Sequence, residues 1–289
     1  MPSQQDSHMA ERGAPSRTAA SPLGKTTANV DVYTPSLLHP IPRAEGRERM
    51  GLPADLPAMR GEDQWTAYEL SWLDVRGRPH NTAVRLTVPV GSPMIVESKS
   101  LKLYLNSFAQ TRFRQTADVL KTLNSDLSLA FRAPVLVDLL GRAQLGPLTE
   151  TLPGVCLDEM DVDIDAYERD PELLVAADPG TTAVKETLHS WNFRSLCPVT
   201  GQPDWAAVVI EYRGPAIDRA GLYRYLVSYR SHSGFHETTV ERIYADLLAH
   251  CGCVSLSVWA RFMRRGGIDI NPFRSTREDK APVLRLAYQ

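Results

Sequence analysis

Long hydrophobic runs are missing from this chain. No stretch of its 289 residues approaches the roughly 20 apolar positions a membrane helix requires. The longest, at 134–140, is strand-sized and contains Asp138. A surplus of one charge is missing too: 32 Lys and Arg stand against 34 Asp and Glu. A broad nucleic-acid surface needs clustered extra cations, so the balance argues against nucleic acid as a direct partner. A small nucleotide-like ligand remains open. Cysteine is scarce, at four residues. The N-terminus has no hydrophobic signal-peptide core, so Cys156, Cys197, Cys251 and Cys253 read as reduced thiols of a cytoplasmic protein. Familiar nucleotide and metal signatures are also lacking: no G-x-G-x-x-G, no G-x-x-x-x-G-K-[ST], no H-E-x-x-H. What remains is an ordinary globular composition, 43% hydrophobic and 23% charged. Its length suits about two domains that need no disulfide or metal staple.

Along the chain, residues 1–28 are rich in Ser, Ala, Pro and Thr and read as a flexible tail. Residues 29–64 are proline-rich and irregular, an extended arm. Regular periodicity then begins. Residues 65–73 and 83–90 read as a hairpin, the second strand alternating through Val84, Leu86, Val88 and Val90. Leu101, Tyr104, Leu105 and Phe108 fall at helical spacing, and a second helix is expected over 116–130. Strands over 133–140 and near 154–157 complete a β-β-α-α-β-β module spanning 65–157. An acidic linker, 158–184, leads to a second module over 185–289. There, strands at 189–195 and 205–212 precede a helix over 222–229. A helix opened by the capping box Thr238-x-x-Glu241, a strand at 254–262 and an edge strand at 282–287 complete it.

The halves resemble each other residue by residue. GRPHNTAVRLTV (77–88) lies over GQPDWAAVVIEY (201–212), and LKLYLNSF (101–108) over LYRYLVSY (222–229), with a register change of only three residues between the two matches. Two ordered matches on the same expected elements imply duplication, and the fold class is α+β. The acidic linker lacks the glycine and terminal glutamate of a calcium loop and reads as solvated. His250-Cys251-Gly252-Cys253 crowds three ligand types without a second pair and reads as a helix-to-strand turn, not a metal site.

Cys197 precedes Pro198 in the connection between two expected strands, and Asp204 opens the second of them. If 197–204 is a hairpin loop, thiol and carboxylate approach one pocket. A nucleophilic cysteine needs such a proton partner. The residues alone leave a second reading open, a small buried thiol beside a turn-forming aspartate. His236-Glu237 stands at a helix entrance, where it can bind a polar ligand or serve the helix dipole. Residues 96–102 place Glu97, Ser98 and Lys99 at a helix start, suited to an anion or simply to capping. Arg264-Arg265-Gly266-Gly267 is a phosphate clamp or a basic turn.

Together these blocks resemble one family. Residues 97–108 (ESKSLKLYLNSF), Cys197-Pro198-Val199-Thr200 with Pro203-Asp204-Trp205, Phe235-His236-Glu237 and residues 264–272 (RRGGIDINP) are similar, in order, to the NADPH-dependent nitrile reductases of queuosine biosynthesis, the 7-cyano-7-deazaguanine (preQ0) reductases. The resemblance covers about residues 22–288 and is to the long, bimodular type. It implies tandem tunnelling-fold (T-fold) modules, a homodimer, and reduction of preQ0 to 7-aminomethyl-7-deazaguanine (preQ1) at the expense of two NADPH. It further implies that Cys197 forms a covalent thioimide and that Asp204 donates a proton. Val96, Glu97, Ser98, His236 and Glu237 would surround the nucleobase, and Ser98, Lys99, Arg265 and Gly266 would contact NADPH. No metal, membrane or direct nucleic-acid partner is implied. The longer tail is the one departure from the family pattern.

Overall fold

The computed structural model describes residues 30–52, 59–145, 147–177, 182–287 and 289. The tail expected over 1–28 lies outside them. Residues 30–64 are not irregular throughout. Strand β1 (Pro40–Pro42) runs directly into helix α1 (Arg43–Arg49). Pro42 precedes that helix, Glu45 sits in its first turn, and Arg47 and Arg49 in its last, a charge order that complements the helix dipole. Too short to show apolar periodicity, α1 gave no helical signal.

Two hairpins carry the architecture. The first joins β2 (Arg60–Leu73) to β3 (Pro79–Pro89), and both strands start earlier than their alternation indicated. Short β4 (Met94–Val96), which pairs with β1, leads into α2 (Ser98–Asn106). Then follow α3 (Thr116–Phe131), β5 (Leu136–Leu140), and the two-residue strands β6 (Leu148–Thr149) and β7 (Val155–Cys156). The second hairpin joins β8 (Val184–Leu196) to β9 (Pro203–Gly214). After it come α4 (Arg219–Ser228), α5 (His236–Cys251), β10 (Ser255–Phe262), β11 (Ile268–Ser275) and β12 (Arg285–Leu286). Among the described residues no helix is long and apolar enough to cross a membrane.

Eight strands form one sheet in the order β5-β3-β2-β11-β10-β9-β8-β7, antiparallel except where β7 meets β8. The halves are joined edge to edge, because β11 from the end of the chain pairs with β2. On β11, Ile268 and Ile270 pack with residues of α2 and α3, and Arg274, on the same face by strand alternation, bonds Glu241 of α5. The four long helices therefore cover one face. Alternate residues Ala207, Val209, Trp259 and Phe273 build a smaller core on the other, beneath Leu152, Ala281 and Leu286.

The likeness between the halves extends to hydrogen bonds. Tyr104 Oη donates to Asp126 across α2 and α3 at 2.7 Å, and Tyr225 Oη donates to Asp246 across α4 and α5 at 2.6 Å. Ser107 and Ser228 each bond back to the carbonyl of that tyrosine. Glu97 caps α2 as Asp218 caps α4. Each hairpin has a register irregularity in its first strand, between Ala67 and Leu70 and between Ser190 and Phe193.

Some expectations need correction. Residues 154–157 do not close the first half. Val155 and Cys156 pair in parallel with β8 at the far end of the sheet, so the first half contributes β-β-α-α-β to it. The last strand is shorter than 282–287 and pairs with β6, not with the main sheet. The acidic linker is anchored: Asp158 accepts from Ser190 Oγ and Trp191 N, and Arg169 grips Asp246 at 2.8 Å. At 250–253, α5 ends at Cys251 and Gly252 turns the chain with φ +59°. Burial pushes the Cys251 and Cys253 thiols up to about 12 and about 11.

Candidate active site

Four segments converge on a cavity of about 380 Å³ at the seam between the halves, beneath the β2–β11 junction, a size that suits a small organic ligand. The first is the β8–β9 connection. Leu196 and Pro203 close the ladder; Cys197 N donates to Gln202 O at 2.8 Å and Gly201 N to Cys197 O at 2.9 Å. Gly201 supplies the left-handed residue of this loop, at φ +66°. Asp204 is then the second residue of β9, opposite Ser195. Both Cys197 and Asp204 are buried and line the cavity.

The second segment is the N-terminus of α5. Phe235 is its N-cap, and Thr238 bonds back to Phe235 O at 3.1 Å inside the first turn. The expected capping box is therefore not formed: Glu241 points instead into a buried group of arginines. The helix begins earlier, so His236 and Glu237 are its first two residues and face the cavity. His236 lies flat on Phe262, ring centroids 3.8 Å apart and planes 3° from parallel, with Nε2 3.2 Å from Asp204 Oδ1.

The third segment runs from β4 into α2 and brings Val96, Glu97, Ser98 and Lys99. Both oxygens of Glu97 already accept backbone N–H groups, from Lys99 and Ser100 at 2.8 Å each. The fourth is the β10–β11 turn with Arg265 and Gly266. Arg265 Nε reaches Asp204 Oδ1 at 2.9 Å, and its Nη2 donates to Pro203 O. Gly266 has φ +58°, and a Cβ there would lie 3.1 Å from the Lys102 side chain. Lys99, Lys102 and Arg265 bring cations to this rim that suit a phosphate-bearing group, with Lys102 also paired to Glu69 at 3.2 Å and Arg265 to Asp204.

All ten residues singled out in the sequence thus line one cavity: Val96, Glu97, Ser98, Lys99, Cys197, Asp204, His236, Glu237, Arg265 and Gly266. Sequence reasoning missed the pairing of Asp204 with both His236 and Arg265. It also missed Phe262 beneath the imidazole and the apolar wall of Trp65, Ile268 and Ile270. Those apolar residues carry no signal beyond ordinary core patterning. Electrostatically, Asp204 is only 4% exposed yet has two cationic or donor neighbours. Glu237 is the strained acid. Burial, then the nearby Asp63 carboxylate, pushes its pKa up to about 6 against the opposing pull of Arg43.

Residues 29–139 match the family model described as nitrile reductase, 7-cyano-7-deazaguanine-reductase N-term, and residues 203–281 match the model for QueF-like protein. A protein of Burkholderia lata named NADPH-dependent 7-cyano-7-deazaguanine reductase is 53% identical over 263 residues, covering 91% of this chain and 95% of its own. The chain belongs to the 7-cyano-7-deazaguanine reductase family. Relatives of the same name from Burkholderia vietnamiensis and Burkholderia multivorans are 52% and 51% identical over equal coverage. The apo crystal structure of the archaeosine synthase QueF-Like aligns with 36% of this reductase-family chain and 99% of its own at 18% identity; its TM-score of 0.29 is too low to bear on the fold. Within the family chain, Cys197 falls between the two matched ranges.

Proposed function

We propose that this chain is an oxidoreductase that converts preQ0 to preQ1 with NADPH, in queuosine biosynthesis, through a covalent thioimide on Cys197. The observation that carries the reading is the buried thiol opening onto the same cavity as an Asp204–His236–Arg265 cluster and the Glu237 carboxylate. A nitrile is linear and a poor hydride acceptor, so its carbon must first be activated. The Cys197 sulfur bonds to that carbon. The thiol proton passes to Asp204 and from there to the nitrile nitrogen, which gives the thioimide. His236 and Arg265 hold the Asp204 carboxylate in place for both transfers.

NADPH, when bound, supplies one hydride to the thioimide and a second to the imine that follows. Between them the carbon–sulfur bond breaks and its electron pair returns to Cys197. Two hydrides and two protons convert the nitrile to the amine. Ser98, Lys99, Arg265 and Gly266 would hold the cofactor, on the cationic rim where Gly266 leaves room beside Lys102. Glu237 would accept from the ring N–H and exocyclic NH₂ of the nucleobase, flanked by His236, Val96, Glu97 and Ser98. The buried walls serve the free imine, which water would hydrolyse.

In the same reading the two halves, β2 to β5 and β8 to β11, are T-fold modules of a cytoplasmic homodimer. The repeated tyrosine–aspartate bonds and strand irregularities support the modules. The test of the activity is stoichiometry. Two NADPH are expected to be oxidised for each preQ0 lost, with preQ1 as the product. A thiol hydrolase acting on the same nitrile would release carboxylate or amide with no NADPH consumed, and that outcome overturns the reading.

Lys99→Ala is expected to raise the KM for NADPH by about tenfold and leave the KM for preQ0 within about twofold, as loss of one charged phosphate contact should. Steady-state kinetics in each substrate check it. The reverse pattern moves Lys99 to the nucleobase.

A further inference from the structure

Behind Glu237, away from the cavity, lies a buried ion cluster that the reaction does not use directly. Asp63 of β2 is held by Arg43 of α1 at 2.9 Å and by Arg274 of β11 at 2.7 Å. Glu241 of α5 is held by Arg274 at 3.0 Å, by Arg47 at 2.8 Å and, at 3.6 Å, by Arg43. Arg43, Asp63, Glu241 and Arg274 are each no more than 2% exposed, so water screens little of this charge. Arg43 is fixed further by bonds to the carbonyl and hydroxyl of Ser92.

Counted as ions, the cluster holds three guanidinium groups and two carboxylates, one positive charge too many, carried in part by Arg47, which is 32% exposed and partly screened by water. An ionised Glu237, one helical turn before Glu241, brings it to balance. Asp63 from β2, Arg43 from α1 and the adjacent His236 are the ionisable groups acting on Glu237. On the cavity side, Glu97 is committed to the α2 cap, and Asp204 to His236 and Arg265.

We propose that Arg43 is a positioning residue for substrate recognition: by offsetting Asp63 next to the α5 N-terminus, it keeps Glu237 in the carboxylate form that accepts two N–H bonds from a guanine-like edge. The inference rests on the reading of Glu237 as the nucleobase ligand. It also gives α1 a task, since the arm carries this cation into the core of the site. With Arg43 removed, the cluster is already neutral, and an ionised Glu237 becomes an uncompensated buried charge. Burial already holds Glu237 near 6. Losing a neighbouring cation raises it further, so the acid form, which cannot accept both bonds, persists to higher pH.

The experiment is the pH profile of kcat/KM for preQ0, from pH 5.5 to 8.5 at saturating NADPH, in the full chain. For Arg43→Gln, the acidic limb is expected to move up by about one pH unit. The KM for preQ0 should rise by roughly threefold at pH 6.5 and return to near the native value at pH 8.5, with kcat little changed. Arg43→Lys, which keeps the charge, is expected to restore most of the profile. Arg43→Gln combined with Asp63→Asn removes both partners and should return the limb toward its original place; it also keeps the test alive if the single variant does not fold. A limb that stays put, a loss equal at every pH, or failure of both rescues overturns the inference. Glu237→Gln separates the two levels. It should abolish the limb and raise the KM for preQ0. If it does neither, the assignment of Glu237 itself fails; if it does both while Arg43→Gln leaves the limb unmoved, only the role of Arg43 fails.

Discussion

Cys197→Ala is expected to lower amine formation by on the order of 10⁴-fold or more, about 5.5 kcal/mol of lost transition-state stabilisation. The size follows from the chemistry. Without sulfur on the nitrile carbon there is no C=N bond of thioimide character to reduce, and no other side chain of the cavity offers a comparable nucleophile beside Asp204. The substitution is conservative for the fold. The loop is closed by the backbone of Cys197, which donates to Gln202 and accepts from Gly201, and alanine keeps both bonds. Intact-mass measurement supplies a second readout that needs no cofactor. The native chain mixed with preQ0 alone should gain the mass of one substrate, and the alanine variant should gain none. A variant that still makes preQ1 at an undiminished rate removes the covalent route.

The hairpin that presents Cys197 and Asp204 was legible because its information is local. Two β-rich segments, a proline, a glycine and a short connection specify it within about twenty residues. The same holds for β3, whose fully buried Val84, Leu86 and Val88 alternate, and largely for α3, where Leu123 and Leu127 of the expected face are fully buried while Leu120 is half-buried and Val119 takes the inward place. By contrast, β11 gave no strand signal. It carries Asp269, Asn271, Pro272 and Arg274, yet the whole strand is buried at the middle of the sheet. Its polarity is satisfied at long range: Arg274 by Glu241 and Asp63, Asn271 by Gln289, Asp269 by Tyr68. Its ladder with β10 ends at Phe273, beside Pro272, which has no N–H to offer.

The capping box failed for a related reason. Thr238 and Glu241 have the right spacing, but the arginines of α1 and β11 claim the glutamate, and a charged partner in the core outweighs one helix cap. The seam was equally hidden. Nothing in a linear pattern says that β2 pairs with a strand some two hundred residues later, and that pairing is what brings the start of α2 in one half to the cavity that holds the thiol of the other. Recognition of four ordered sequence blocks supplied the membership of the cavity; the physical patterns alone did not.

Asp204→Asn is the second large effect, and it separates proton transfer from geometry. Asparagine has the same shape, and its carbonyl oxygen can still accept from Arg265 Nε and from His236 Nε2 where Oδ1 now does. What it cannot do is take the proton from Sγ and hand it to the nitrile nitrogen. The turnover number is therefore expected to fall by about 10²–10⁴-fold, the usual weight of a positioned acid–base group. Formation of the preQ0 adduct in the absence of NADPH should slow by a similar factor, since both depend on that first transfer. The dissociation constant for preQ0 should stay within a few-fold, because in the proposed reading the nucleobase edge would be held by Glu237 and not by Asp204. If instead kcat is unchanged, or preQ0 binding falls in step with it, Asp204 acts by anchoring Arg265 and His236, and the proton must travel by the imidazole that stands against Phe262.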